Sequence, residues 1–311
     1  MGLKIAVLGA GNIGGALIGG IVKSHLAEPH DVVATDARED RRRELEEQWK
    51  IQTLPTSENR KAAQGRDLVF LAVKPPIVPS VLNQIRGAVG GKQIVVSVAA
   101  GVPIAFIESV LGRRIPVFRA MPNIPVVIDE GATAVAGNGA TTPAQREIVE
   151  KIFGALGVVA FVEESQLDAV TALSGSGPAY IYMVIEALID GGKKMGLSHD
   201  VATRLTEQTV LGAAKLVRQT KVHPAVLRDA VVTPGGTTIA AIHELERHGL
   251  RSMLISAVET ATARSKEIGA QITAEFSKRP AKGRAPSSPK ASMAKTNPKG
   301  RKRPAPARKR G

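Results

Sequence analysis

Residues 3–20 read Leu-Lys-Ile-Ala-Val-Leu-Gly-Ala-Gly-Asn-Ile-Gly-Gly-Ala-Leu-Ile-Gly-Gly, and this stretch decides the predicted fold. Residues 3–8 are mostly apolar and predict a short buried strand. Residues 9–14 form the pattern G-x-G-x-x-G directly at the end of that strand, and apolar residues at helical spacing follow. A strand, a glycine turn and a helix in this order are the context of a dinucleotide-binding motif. The alternative is an ordinary turn between a strand and a helix.

Each glycine of this motif has a physical role in binding a pyrophosphate. Gly9 allows a tight turn, Gly11 lets the backbone approach the phosphates, and Gly14 lets the helix pack closely on the strand. Asn12 and Ile13 open the helix, whose free N–H groups and positive dipole end attract the phosphates.

The choice between NADH and NADPH is left open by the residues that follow. Residues 31–36 predict a second strand that ends at Asp36, where an acidic residue binds the ribose 2′-OH of NAD. Arg38 and the arginines at 41–43 come next, and an arginine at this place can receive the 2′-phosphate of NADP. Alternatively, Asp36 caps the helix predicted over residues 39–49 and the arginines are solvated.

Strand patterns and helical patterns alternate up to about residue 160. This alternation predicts an α/β fold with a mainly parallel, doubly wound sheet, which forms an N-terminal Rossmann-type domain over residues 1–163. The further strands are predicted within residues 66–76, 93–101, 115–125, 133–135 and 158–162.

Long helical patterns replace the strands from about Glu164 and predict an all-helical domain over residues 164–276. Residues 174–180 are expected to form a turn with a serine cap and a proline in the first helical turn. Further helices are predicted at residues 198–219, 224–232, 239–246 and 250–276.

Residues 233–238, Thr-Pro-Gly-Gly-Thr-Thr, interrupt these helices. Two glycines followed by two hydroxyl side chains at a helix start combine exposed N–H groups, a helix dipole and hydroxyl donors, which favours binding of a small anion. The alternative is a plain glycine turn before a capped helix.

Charge and composition limit the other functions. The net charge of +14 is concentrated in residues 277–311, which hold thirteen Lys or Arg and no Asp or Glu, so the rest of the chain is almost neutral. We expect this tail to be disordered and either to bind polyanions weakly or to be a solvated appendage.

The absence of cysteine excludes disulfides and thiolate sites and fits a cytoplasmic protein. We expect no export signal and no membrane span. The histidines lack ligand spacing, so no metal is expected; they are His25, His30, His199, His223, His243 and His248.

Six stretches, in the same order along residues 3–275, resemble the pyrroline-5-carboxylate reductase family. They are residues 70–75 (FLAVKP), 96–102 (VSVAAGV), 119–123 (RAMPN), 173–180 (LSGSGPAY), 190–197 (DGGKKMGL) and 233–239 (TPGGTTI).

The resemblance implies reduction of the cyclic imine 1-pyrroline-5-carboxylate to L-proline with NADPH or NADH, the final step of proline biosynthesis. It also implies an interlocked homodimer through the helical domain and further assembly into a decamer. Its implied cofactor contacts are Gly9 to Gly14 at the pyrophosphate, Asn59, Val73, Lys74 and Pro75 along the adenosine half, and Ala99, Ala100, Met121, Pro122 and Asn123 near the nicotinamide. Its implied substrate contacts are Gly235, Gly236 and Thr237 at the carboxylate, Thr238 beside the imine nitrogen, and Ser174, Gly175, Ser176 and Gly177 closing the pocket.

The chain departs from the family pattern at Ile124, where threonine is usual, at Thr233, where serine is common, and in its basic tail. One alternative is a β-hydroxyacid dehydrogenase, which would need Lys193 or Lys194 as its catalytic acid. A second is a non-catalytic nucleotide-sensing or nucleic-acid-associated protein that acts through the tail.

Overall fold

The structure is a computed structural model that describes residues 2–112 and 114–277. The predicted basic tail therefore lies outside the described residues. The strands are β1 (Ile5–Leu8), β2 (Val32–Thr35), β3 (Gln52–Leu54), β4 (Leu68–Leu71), β5 (Ile94–Ser97), β6 (Val117–Met121), β7 (Gly131–Gly137) and β8 (Gly157–Phe161).

These eight strands form one sheet in the order β3-β2-β1-β4-β5-β6-β7-β8. Neighbouring strands are parallel except β6 and β7, which are antiparallel. β1 lies between β2 and β4, so the strand order reverses at β1. Ligands of such sheets bind in the crevice at the carboxyl ends of the strands where the order reverses. The doubly wound α/β prediction is confirmed, and the glycine turn lies at that crevice.

Alternation along β1 divides the core between the two faces of the sheet. Ile5 and Val7 belong to a cluster that packs against helices on one face, while Ala6 and Leu8 belong to a cluster on the other face. All four side chains are fully buried, as expected for a parallel strand covered on both sides. This rigid layer positions the turn that follows Leu8.

Twelve α-helices are described in the two ranges. They are α1 (Asn12–Lys23), α2 (Glu39–Trp49), α3 (Asn59–Ala63), α4 (Val78–Ile85), α5 (Ile104–Leu111), α6 (Pro143–Gly154), α7 (Leu167–Val170), α8 (Gly177–Lys194), α9 (His199–Thr220), α10 (Pro224–Ala230), α11 (Thr237–Arg247) and α12 (Leu250–Ser277). Ser198 caps α9 by accepting a hydrogen bond from the Val201 amide, so this helix begins where the sequence predicts.

The structure corrects the prediction of a capped turn before α8. Residues Thr171–Gly175 form a π-helical segment, and Ser176 precedes α8 without a capping hydrogen bond from its side chain. The Ser174 hydroxyl instead donates to the Val170 carbonyl oxygen at 3.1 Å. Pro178 does lie in the first turn of α8, where its missing N–H costs nothing.

The helices after residue 176 expose large apolar side chains. One stretch, Glu164–Lys194, is long and apolar enough to cross a membrane by length and composition, and 6% of its most apolar window is buried. Polar residues interrupt the apolar run of this stretch in the sequence, and the expectation of no membrane span stays a prediction. Exposed apolar side chains of the region include Met183, Leu188, Leu205, Leu211, Leu245 and Ile255. A surface of this kind marks a protein or membrane interface.

Candidate active site

The glycine turn after β1 has the geometry that a pyrophosphate site requires. Gly9 has a φ of +94°, and a Cβ atom there would lie 2.6 Å from the Val73 Cγ1 atom. A Cβ atom at Gly14 would overlap the carbonyl oxygen of Gly9. A Cβ atom at Gly11 would meet no atom within 4 Å. Packing within the protein therefore requires glycine at positions 9 and 14, whereas Gly11 borders open space, and the approach of a cofactor phosphate there stays a prediction.

Asp36 directly contacts the glycine turn. Its Oδ2 atom accepts a hydrogen bond from the Ala10 amide at 3.1 Å, and its Oδ1 atom accepts one from the Arg38 amide at 2.9 Å. The N-cap of α2 is Arg38 and has no side-chain capping bond, so Asp36 does not cap that helix as the alternative interpretation held.

The arginines after Asp36 differ in their surroundings. The Nε atom of Arg41 donates to the Ala10 carbonyl oxygen at 2.8 Å, and its Nη1 atom lies 2.7 Å from Glu44. Gly15 makes room for this guanidinium, since a Cβ atom there would overlap it. Arg38 is exposed, with its guanidinium 3.8 Å from Asp40.

The residues assigned to the adenosine half lie at the start of α3 and directly after β4. Asn59 opens α3 and is 2% exposed. Its carbonyl oxygen accepts from the Thr35 hydroxyl at 2.6 Å, and its amide nitrogen donates to Gln84 at 2.6 Å. Val73, Lys74 and Pro75 follow β4; Lys74 is exposed. A contact between Asn59 and adenosine stays a prediction; one side-chain N–H and one lone pair of the side-chain oxygen are left for it.

The residues assigned to the nicotinamide side lie directly after β5 and at the end of β6. Ala99 and Pro122 are buried, Ala100 and Asn123 are half-buried, and the Asn123 side chain accepts from the Ala132 amide at 2.8 Å. Met121 contacts the segment before α8, since a Cβ atom at Gly175 would lie 2.6 Å from the Met121 Cε atom. The structure thus brings the predicted pocket-closing segment to the predicted nicotinamide loop.

An ion-pair cluster around the buried Arg119 links the sheet to the helical part of the chain, and sequence reasoning missed it. The Arg119 guanidinium on β6 lies 3.4 Å from Glu164 and 3.6 Å from Asp168. The Ser265 hydroxyl of α12 donates to the same Asp168 oxygen at 2.7 Å, and the Ile104 amide donates to Glu164 at 2.7 Å. The sequence does contain one signal for this cluster, because Arg119 is a charged residue within the otherwise apolar strand β6.

The loop before α11 presents unused hydrogen-bond donors. Gly235 has a φ of +70°, and the Gly236 amide closes a turn by donating to the Thr233 carbonyl oxygen at 3.0 Å. The amides of residues 237–239 and the hydroxyls of Thr237 and Thr238 have no acceptor among the described residues. The loop therefore keeps open donors at the start of α11, and anion binding by it stays a prediction; no hydrogen bond in the described ranges joins it to the glycine turn.

The position of Lys193 bears on the alternative that the chain is a β-hydroxyacid dehydrogenase. Lys193 lies in the last turn of α8, is exposed and donates to Asp190 at 2.9 Å, which does not resemble a buried catalytic acid.

At the far end of α11, hydrogen bonds with Arg247 and His248 lower the pKa of the Glu244 carboxyl, so Glu244 stays ionised and stabilises the last turn of this helix.

Comparison with known proteins agrees with this geometry. Residues 164–268 match the family model described as pyrroline-5-carboxylate reductase dimerisation, and residues 4–101 match the model described as NADP oxidoreductase coenzyme F420-dependent. The dimerisation model covers helices α8 to α11, which expose apolar side chains, and supports homo-oligomerisation of the chain.

Full-length relatives extend the match. Pyrroline-5-carboxylate reductase of Methanosarcina acetivorans is 41% identical over 86% of this chain and 98% of its own length. The Pseudomonas aeruginosa enzyme is 37% identical over the same two shares. Among solved structures, the Coxiella burnetii enzyme has a TM-score of 0.80 and 35% identity over 86% of this chain and 99% of its own. The Plasmodium falciparum enzyme with NADP bound has a TM-score of 0.77 and 30% identity over 86% and 98%. This chain belongs to the pyrroline-5-carboxylate reductase family.

Proposed function

We propose that the chain reduces 1-pyrroline-5-carboxylate to L-proline with NADPH or NADH, and that the loop Gly235–Thr238 holds the substrate carboxylate. The observation that carries this proposal is the set of three open backbone amides at residues 237–239, which form the first turn of the eleven-residue helix α11. Backbone donors and the positive end of a helix dipole bind a carboxylate without a cationic side chain.

The backbone of the loop explains why glycines are needed there. Gly235 adopts a positive φ that side chains rarely tolerate, and a Cβ atom at Gly236 would overlap the Thr233 hydroxyl oxygen. Two glycines therefore let the chain turn sharply enough to direct the following amides outward. Thr237 extends the donor set with its hydroxyl.

The chemistry requires positioning more than it requires an acid. The bound cofactor supplies a hydride to the imine carbon. The chain holds the substrate by its carboxylate and excludes water, which raises the rate by keeping the reacting carbons in near-attack geometry. We assign Thr238, half-buried at the second position of α11, to a hydrogen bond with the imine nitrogen. A threonine hydroxyl is a weak acid, so the proton on nitrogen comes from solvent or from an imine that is already protonated.

The assembly and location belong to the same proposal. The family match and the exposed helices support homo-oligomerisation, and we extend this to an interlocked dimer and a decamer in the cytoplasm. The chain consists of a Rossmann-type domain over residues 1–163, a helical domain over residues 164–276 and a basic tail over residues 277–311, and this tail binds polyanions weakly. The basic composition of residues 277–311 supports that binding.

The test is oxidation of NADPH and of NADH, in parallel, by the purified full chain with 1-pyrroline-5-carboxylate. We expect substrate-dependent oxidation, a large loss of kcat/KM for Thr238→Ala, and recovery for Thr238→Ser. Thr209→Ala is the matched control, because the Thr209 hydroxyl only donates to the Leu205 carbonyl oxygen on α9. No oxidation by folded protein with either cofactor would overturn the function, and an unchanged Thr238→Ala variant would remove Thr238 from the mechanism.

A further inference from the structure

We propose that this chain uses NADH in preference to NADPH, and that the Asp36 carboxylate sets this preference. The inference deepens the proposed reduction and rests on it. It concerns the ribose end of the crevice, where the sequence alone left an acidic residue and four arginines as competing determinants.

The Asp36 carboxylate is fixed at the mouth of the glycine turn. One carboxylate oxygen accepts from the Ala10 amide and the other from the Arg38 amide, at 3.1 and 2.9 Å. Rotation away from the crevice would break both bonds, so the charge stays where the ribose 2′-OH binds in doubly wound folds. Each oxygen keeps a lone pair that can accept from a ribose hydroxyl. A 2′-phosphate at this place would instead meet a fixed negative charge.

Two of the four nearby arginines are committed to other partners. Arg41 points under the turn, where it bonds the Ala10 carbonyl oxygen and Glu44, and its side chain is 15% exposed. Arg42 donates to the carbonyl oxygens of Asp36 and Ala37, at 2.9 and 3.3 Å. Moving either guanidinium toward a phosphate would leave backbone carbonyls without these donors.

The other two arginines are exposed and offset by acids on α2. Arg43 pairs with Glu39 one helical turn earlier, and Arg38 lies 3.8 Å from Asp40. Acidic residues at 36, 39, 40 and 44 balance the arginines at 38, 41, 42 and 43, so the ribose end has no excess positive charge to attract a phosphate. Arg38 has the longest pairing distance of these arginines, so any residual NADPH use depends on it.

The experiment measures kcat/KM for NADH and NADPH, and direct binding of each by nucleotide fluorescence, with the full chain. We expect wild type to favour NADH by about tenfold or more, because like charges in a crevice are strongly disfavoured. Asp36→Asn keeps an acceptor for the Ala10 amide and removes the charge. It should move the NADPH/NADH ratio by about tenfold toward NADPH. Arg38→Ala should lower NADPH use and leave NADH unchanged.

Arg43→Ala is the matched control, since it removes an exposed arginine of α2 that pairs with Glu39 rather than with the glycine turn, and its NADPH/NADH ratio should equal that of wild type. A wild-type ratio that is equal or favours NADPH overturns the proposal, as does an Asp36→Asn ratio that does not move. Nucleotide binding measured by fluorescence distinguishes failure of the proposed reduction from failure of the proposed NADH preference. Absent turnover with a clear preference for NADH binding would contradict the proposed reaction and support the role of Asp36.

Discussion

Gly175 and Met121 are in close contact, with the position of a Cβ atom on Gly175 only 2.6 Å from the Met121 Cε atom. Gly175 ends the π-helical segment before α8, and Met121 ends β6 at the proposed nicotinamide side of the crevice. This contact links the helical part of the chain to the sheet within a single subunit. A glycine permits this close approach, whereas an alanine would force the end of the Met121 side chain to shift.

We expect Gly175→Ala to lower kcat/KM for the imine by about tenfold, because the added methyl displaces Met121 and with it the cofactor loop. The Met121 side chain is flexible, so the folded structure should persist. If the effect acts through this contact, Gly175→Ala should cost less in a Met121→Ala background, which a double-mutant cycle of kcat/KM measures. Gly139→Ala is the control, since a Cβ atom there meets nothing within 4 Å. Additive losses would contradict the coupling.

Local chemistry made the first part of the fold predictable. Residues 3–20 contain a buried strand, a turn that only glycines can form and an apolar helix face, and each depends on neighbours in the sequence. β3 was missed because its three residues, Gln52–Leu54, are too short to show a period. The antiparallel direction of β7 was also missed, since alternation carries no information about direction.

Contacts between distant residues set the limit of prediction at the site. Arg119 and Glu164 are 45 positions apart, and Asp168 and Ser265 are 97 positions apart. No pattern of periodicity or spacing joins such residues. The loop at residues 233–238 could be singled out because its six residues are consecutive, and its binding of an anion stays a prediction.

Two glycines of the turn should respond differently to alanine. Gly11→Ala should fold normally, because its Cβ atom has open space, and should lose binding of NADH and NADPH, because the methyl occupies the approach of the pyrophosphate. Gly14→Ala should lose both binding and stability, since its Cβ atom overlaps the Gly9 carbonyl oxygen. Thermal unfolding and fluorescence titration measure the two effects. Normal cofactor binding by Gly11→Ala would argue against a pyrophosphate at this turn.

The Arg119 cluster should contribute to stability. Arg119→Met leaves Glu164 and Asp168 without their cation, and we expect the free energy of unfolding to fall by about 1–2 kcal/mol, because both carboxylates are partly exposed and keep the Ile104 and Ser265 donors. Arg43→Met removes an exposed helical pair and should change it by about 0.5 kcal/mol or less. Urea unfolding followed by circular dichroism compares the two variants. Equal losses would show that burial of Arg119 has no energetic consequence.

The apolar face of α8 should hold the subunits together. Leu188 is 50% exposed in the single chain and lies within the residues matched by the dimerisation family model. A carboxylate buried there without a partner is strongly unfavourable, so Leu188→Glu should yield monomers and lose turnover. Light scattering after size-exclusion chromatography gives the mass, and NADH binding shows whether the glycine turn survives. Gln48→Glu adds the same charge on exposed α2 and should leave both unchanged. An oligomer of wild-type mass in Leu188→Glu would exclude this face from the interface.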